Sequence, residues 1–162
     1  MLEKKGLQTV MKNHPPVNKI IPIASDHAGF EAKELVKKIL KEHDITTIDY
    51  GTKTDESVDY PDFATLVAQA VNNGDHDMGI LICGSGQGMC MTANKYPKVR
   101  AALAWNDEMA ELSRQHNKAN ILCLPGRFLG EDELRSIVTS WLKTEFEGGR
   151  HQRRVDKIKQ KL

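Results

Sequence analysis

No stretch of this sequence approaches the roughly 18–20 consecutive apolar residues that a membrane-spanning helix needs. The first 18 residues, MLEKKGLQTVMKNHPPVN, lack the apolar core of a secretory signal. Cysteine is scarce. Cys83, Cys90 and Cys123 are an odd number with no Cys-x-x-Cys pair, which argues against a disulfide scaffold and reads as free thiols in a reducing, cytoplasmic setting. His43, His76 and His116 are scattered and share no zinc-ligand spacing with the cysteines, so no metal is expected. Neither sign of charge is in excess: 23 Lys+Arg stand against 22 Asp+Glu, for a formal net charge of +1. That balance argues against a strongly basic nucleic-acid binder and against an acidic solvating chain. Internal repeats and low-complexity segments are absent.

What remains is a 162-residue chain, 40% hydrophobic and 28% charged, the size and composition of one globular domain with a substantial core. Short apolar runs alternate with helical patterns. Strands are expected over 19–24 (KIIPIA), 45–50, 78–83 (MGILIC), 99–104 and 120–124. The third run is nearly all apolar, as a strand buried on both faces of a parallel sheet requires. Between them, residues 30–43 place Phe30, Leu35, Val36, Ile39 and Leu40 on one helix face, with Lys33, Glu34, Lys37, Lys38 and Lys41 on the other. Pro61 suits the first turn of a second helix, Asn106 can cap a later one, and a long helix is expected over 131–146, broken by Gly148–Gly149. This order predicts an α/β fold: a Rossmann-like three-layer α/β/α sandwich around a five-stranded parallel sheet. Pro22 falls inside the first strand, where a missing N–H either delays the regular strand to Ile23 or breaks the ladder.

Ligands of such sheets bind beyond the carboxyl ends of the strands. Ser25–Asp26–His27 follows the first strand there, and Cys83–Gly84–Ser85–Gly86–Gln87–Gly88 follows the third. Three glycines in five residues allow backbone N–H groups to approach an anion, or serve packing alone. The spacing is neither the dinucleotide fingerprint, since Met89 stands where its last glycine would be, nor a P-loop. Cys83 is either a core thiol or, beside backbone donors at a strand end, a reactive thiolate. Cys123 and Cys90 fit the core reading. Asp26 either caps a helix or orients a sugar hydroxyl, and His27 either faces solvent or binds phosphate. His116 follows Leu112 by four residues, so it is a core histidine or one reachable at a helix end. The balanced charge breaks down at 148–162, where six Lys and Arg stand against Asp156 alone. Arg150 and Arg154, four apart, share a helix face that is either solvated or suited to gripping phosphate.

Six stretches carry a resemblance: SDHAGFEAKE at 25–34, DYPDFA at 59–64, GILICGSGQGM at 79–89, ANKYPKVRAAL at 93–103, LSRQHNKANILCLPGR at 112–127 and FEGGRHQRRV at 146–155. In continuous order over roughly residues 19 to 158, the chain resembles the type B ribose-5-phosphate isomerases of the wider ribose/galactose sugar-phosphate isomerase family. The resemblance implies aldose–ketose isomerisation in the pentose phosphate pathway without metal or cofactor. It gives Cys83 the role of general base between C1 and C2, and His116 the opening of the furanose ring. Asp26 and Tyr60 match the sugar end of the pocket. Gly84, Ser85, Gly86, Gln87 and Gly88 match the anion hole. His27, Arg127, Arg150 and Arg154 match the phosphate end, and Asn117 a substrate contact. It further implies a homodimer or dimer of dimers with the site shared between copies, and no nucleic-acid or membrane partner. Residues 1–18 fall outside the pattern and are expected as a flexible extension to a domain over 19–147, with 148–162 completing the site. Ser85 stands where relatives commonly carry Thr. The helix MCMTANK holds no Glu that could replace Cys83 as base. A six-carbon substrate such as allose 6-phosphate or galactose 6-phosphate, and a non-catalytic sugar-phosphate-binding module, are the alternatives.

Overall fold

The computed structural model describes residues 19–158, so the expected extension over 1–18 lies outside the described residues. Five strands, β1 (Ile20–Ser25), β2 (Thr46–Asp49), β3 (Gly79–Cys83), β4 (Ala101–Leu103) and β5 (Ile121–Pro125), form one sheet in the order β2-β1-β3-β5-β4, every neighbouring pair parallel. The helices are α1 (Phe30–Glu42), α2 (Tyr60–Asn72), α3 (Gln87–Ala93), α4 (Asp107–Asn117), α5 (Glu131–Lys143) and α6 (Arg150–Asp156). Side chains alternate across β3. Ile80 and Ile82 join Val36, Leu40, Ile137 and Trp141 under α1, α4 and α5, while Leu81 and Cys83 join Val67, Met89 and Cys123 under α2 and α3. The expected three-layer sandwich is therefore the one observed. None of the described helices is long and apolar enough to cross a membrane.

Hydrogen-bond parity resolves Pro22. The carbonyls of Lys19 and Ile23 accept from Thr46 and Tyr50 on the β2 side (3.0 and 2.9 Å), whereas the Asp26 N–H donates to Ile82 on β3 (3.2 Å). Even-numbered residues of β1 thus face β3, and the β1–β3 ladder begins only at Ile23. Pro22 keeps its register with Ile48, and its missing N–H falls where no ladder bond is required.

Asn106 caps α4 as expected, its side chain accepting from the Met109 N–H at 2.8 Å. The long helix stops earlier than expected, at Lys143. Thr144 turns extended (φ −85°, ψ 130°), and its carbonyl accepts from Arg114 Nε at 3.2 Å. The same guanidinium lies over the Trp141 ring, 5.5 Å from its centroid. Gly148 and Gly149, both at positive φ, then open α6 instead of ending α5.

The amphipathic pattern of α1 misplaces one residue. Lys33, expected on the solvent face, is fully buried. Its Nζ reaches the end of β2, donating to Asp49 Oδ1 at 2.7 Å and to the Thr52 carbonyl. Lys37 donates to the other Asp49 oxygen at 2.8 Å, and the Gly51 N–H to Oδ1 at 2.9 Å. Burial pushes the Asp49 carboxyl upward, but the bonds from Lys33, Lys37 and Gly51 outweigh it and hold the group below its ordinary value. Asp49→Asn leaves a buried ammonium without its counter-charge and should cost about 2 kcal/mol in urea unfolding, less than the fully buried case because Asp49 keeps some solvent. Because the folded value is the lower one, the stabilisation is complete above the unfolded aspartate value of about 3.9 and is lost as pH falls through the folded value. Unfolding measured against pH should show that acid slope in the wild type and a shallower one in Asp49→Asn.

Candidate active site

The strand order reverses direction between β1 and β3, and the loops leaving these two strands meet there. After β1, Asp26 is 7% exposed and accepts the Gly29 N–H at 3.0 Å through Oδ1, which turns the chain into α1. A side chain on Gly29 would stand 2.6 Å from the Ile82 carbonyl oxygen, so this turn needs glycine to approach β3. His27 Nδ1 accepts the Val58 backbone N–H at 3.2 Å. A backbone donor facing Nδ1 leaves the ring proton on Nε2, so the imidazole presents a donor at that end.

After β3, Cys83 is 4% exposed, and its Sγ accepts the Gly86 N–H at 3.1 Å. Gly86 makes this bond from a left-handed conformation, φ +73°. The turn after β5 is laced to the same loop: the Gly126 N–H donates to the Cys83 carbonyl at 2.8 Å and the Arg127 N–H to Gly84 at 3.1 Å. The Arg127 side chain lies directly against Gly84, and the Tyr60 ring against Gly88. These strand ends enclose a cavity of about 340 Å³. Asp26, His27 and Tyr60 line it with Cys83, Gly84, Ser85 and Gly88, and Arg127 and the exposed Phe128 complete it. Gly86 and Gln87 do not line it: Gly86 is buried behind the turn, and Gln87 is exposed, its N–H 3.4 Å from Ser85 Oγ.

The remaining expected residues lie elsewhere. α4 runs back from the carboxyl end of β4 to the amino end of β5, so His116 and Asn117 sit at the opposite rim of the sheet. α6 packs against α4 at that rim and carries Arg150 and Arg154, both exposed. Five residues of parallel strand separate the two rims by about 15 Å. Asn117 borders a second cavity, about 380 Å³, with Tyr96 and Arg100. His116 is half-buried and stacks on His151, ring centroids 4.1 Å apart and planes 9° from parallel. His151 and Glu147 were not singled out from the sequence. The usable signal was the four-residue spacing of His151 and Val155, the buried face of α6. Cys123 is fully buried in β5, and burial drives its thiol well above the ordinary value. The Cys90 thiol donates to the Ala101 carbonyl at 3.3 Å, so both fit the core reading.

A family model described as ribose/galactose isomerase matches residues 21–158. The chain belongs to this family. It is 51% identical over 138 residues to a probable ribose-5-phosphate isomerase B of Mycoplasma genitalium, covering 84% of this chain and 91% of that one. It is 44% identical over 140 residues to the ribose-5-phosphate isomerase B of Escherichia coli, covering 86% and 94%. Among solved structures, a Thermotoga maritima ribose 5-phosphate isomerase superposes with a TM-score of 0.85 at 51% identity, covering 87% of this chain and 97% of that one. The Mycoplasma genitalium enzyme with bound ribulose-5-phosphate gives 0.82 at 51% identity, with 86% and 93% covered.

The Gly86 turn yields a direct prediction. A Cβ there would stand 2.5 Å from Leu103 Cδ1 and 3.0 Å from the Leu124 carbonyl carbon, on a backbone that disfavours it. Gly86→Ala should lower unfolding free energy by about 2 kcal/mol. An unchanged denaturation midpoint would contradict the geometry described.

Proposed function

We propose that the chain interconverts ribose 5-phosphate and ribulose 5-phosphate, with Cys83 as the base. The observation that carries this is a thiol sulfur held by the Gly86 N–H at 3.1 Å, on a cavity also lined by Asp26, His27 and Arg127, in a chain of this family. The names of the relatives and the ribulose-5-phosphate complex of one of them support the five-carbon substrate. The free thiols suit a reducing compartment such as the cytoplasm.

The chemistry divides into two stages. His116 moves a proton from the anomeric hydroxyl to the ring oxygen as the C1–O4 bond breaks, which leaves an open-chain aldehyde. Cys83 then takes the C2 proton, leaving an enediolate with its charge on O1. The thiol returns its proton to C1 while the O2 hydroxyl proton passes to O1, so the sum is one hydrogen moved between carbons and one between oxygens. A proton beside a carbonyl is a poor acid, so the base needs help. Donors aimed at the developing oxyanion, drawn from Gly84, Ser85 and the following turn, supply it, each worth roughly 3 kcal/mol in comparable sites. Arg150 and Arg154 hold the phosphate, with His27 and Arg127 at the same end, and the binding energy orients the reacting carbons.

One protomer cannot assemble this set, since Cys83 and His116 belong to opposite rims. The reading therefore includes a homodimer, in which residues 148–158 and the end of α4 from one copy complete the cavity of the other. Cys83→Ala should lose activity about a thousandfold in a coupled assay while still binding ribulose 5-phosphate, and substantial remaining turnover would remove Cys83 as the base. Mixing Cys83→Ala with His116→Ala after reversible dissociation should restore about a quarter of wild-type activity, because half of the dimers are mixed and each holds one intact site. No recovery in verified mixed dimers would contradict the shared site.

A further inference from the structure

His151, stacked on His116, takes no part in either stage of that chemistry. His151 is 5% exposed, on a short helix otherwise studded with arginines. Its Nε2 stands 3.5 Å from Glu147 Oε2, and its ring lies flat on His116. Burial, with the neighbouring His116 and Arg150, holds it below the ordinary imidazole value, and its flat face is turned to the His116 ring. The platform is itself anchored. The Glu147 N–H donates to the Gln115 carbonyl at 3.1 Å, the residue just before His116, and the His151 N–H donates to Gly148 at 3.0 Å.

The same three side chains, His116, Glu147 and His151, bring one ligand atom each within 4.8 Å of one another, which invites a metal reading. The ring planes argue against it. A metal sits in the plane of each imidazole that binds it, and rings 9° from parallel aim their lone pairs side by side instead of at one point.

We propose that His151 is a positioning residue for His116: it fixes the plane of the imidazole that opens the sugar ring, and ties that plane to α6, the helix bearing Arg150 and Arg154. The proposal rests on the reading of His116 as the ring-opening group. An imidazole rotating freely about its side-chain bonds would meet the ring oxygen in few of its orientations. A flat surface pressed against one face leaves the ring edge as the working side. The coupling also means that the helix gripping the phosphate sets the angle of the group acting on the furanose ring.

The test compares His151→Ala with His151→Phe, which retains a flat ring but loses both nitrogens. His151→Leu, bulky but not planar, replaces Ala if that variant fails to fold. With ribose 5-phosphate, the Ala or Leu variant should lose kcat at least about tenfold with KM within about threefold, and Phe should recover most of the loss. The His116 ring protons, shifted upfield by the stacked ring, should move downfield in the Ala or Leu variant and stay upfield in Phe. Wild-type kcat in the variant lacking a flat face overturns the proposal. So does a loss expressed only in KM, or one that Phe does not recover. Full activity of His116→Ala would instead overturn the underlying reading. An inactive His116→Ala beside a fully active His151→Ala removes this proposal alone.

Discussion

The division of this site between two rims follows from the return path of a parallel βα unit. Each strand delivers its carboxyl end to one rim, and each following helix carries the chain back to the other before the next strand begins. Cys83 ends β3 and therefore belongs to the first rim, with Asp26, His27 and Arg127 from loops after β1 and β5. His116 ends α4 and therefore belongs to the second. No side-chain rotation closes a gap of about 15 Å. On the proposed reading, the fold has solved the problem by association: one surface brings the thiol, the other the imidazole and the arginines.

The first rim is held by buried electrostatics as much as by glycine turns. Lys33 crosses beneath the loop after β2, pins Asp49 and donates to the Thr52 carbonyl. Thr52 and Gly51 in turn exchange backbone bonds with Ser25, at 2.8 and 2.7 Å, immediately before Asp26. A charge buried in α1 thus helps set the path of the loop that carries Asp26 and His27. Glycines at 29, 84 and 88 let Ile82, Arg127 and Tyr60 close in around the cavity, so the site is compact because several positions lack a Cβ.

Much of this was legible in the residues. The apolar runs and the helical stripes separated cleanly, so the strand count, the parallel sheet and the rim loops followed from local pattern and one topological rule. The stretch 83–88 stood out because it ended the most apolar strand with three glycines. Lys33 was not legible, because helix periodicity assigns a lysine to solvent and its partner lies 16 residues away at the end of another element. The end of α5 was missed because Arg114, from a different helix, captures the Thr144 carbonyl. His151 was hidden among arginines, and only the fold shows that its face of α6 turns inward onto α4. In each case a long-range contact overrode a sound local pattern.

On the proposed reading, the cavity at Cys83 and the cationic tail work on one substrate from two copies of the chain. A crystal structure of this protein with ribulose 5-phosphate bound tests it most directly. C1 and C2 should lie beside the Cys83 sulfur and the Gly84–Ser85 backbone of one copy, with the phosphate on Arg150 and Arg154 of the other. A ligand whose sugar and phosphate are both held by a single copy, with those arginines free, would contradict it.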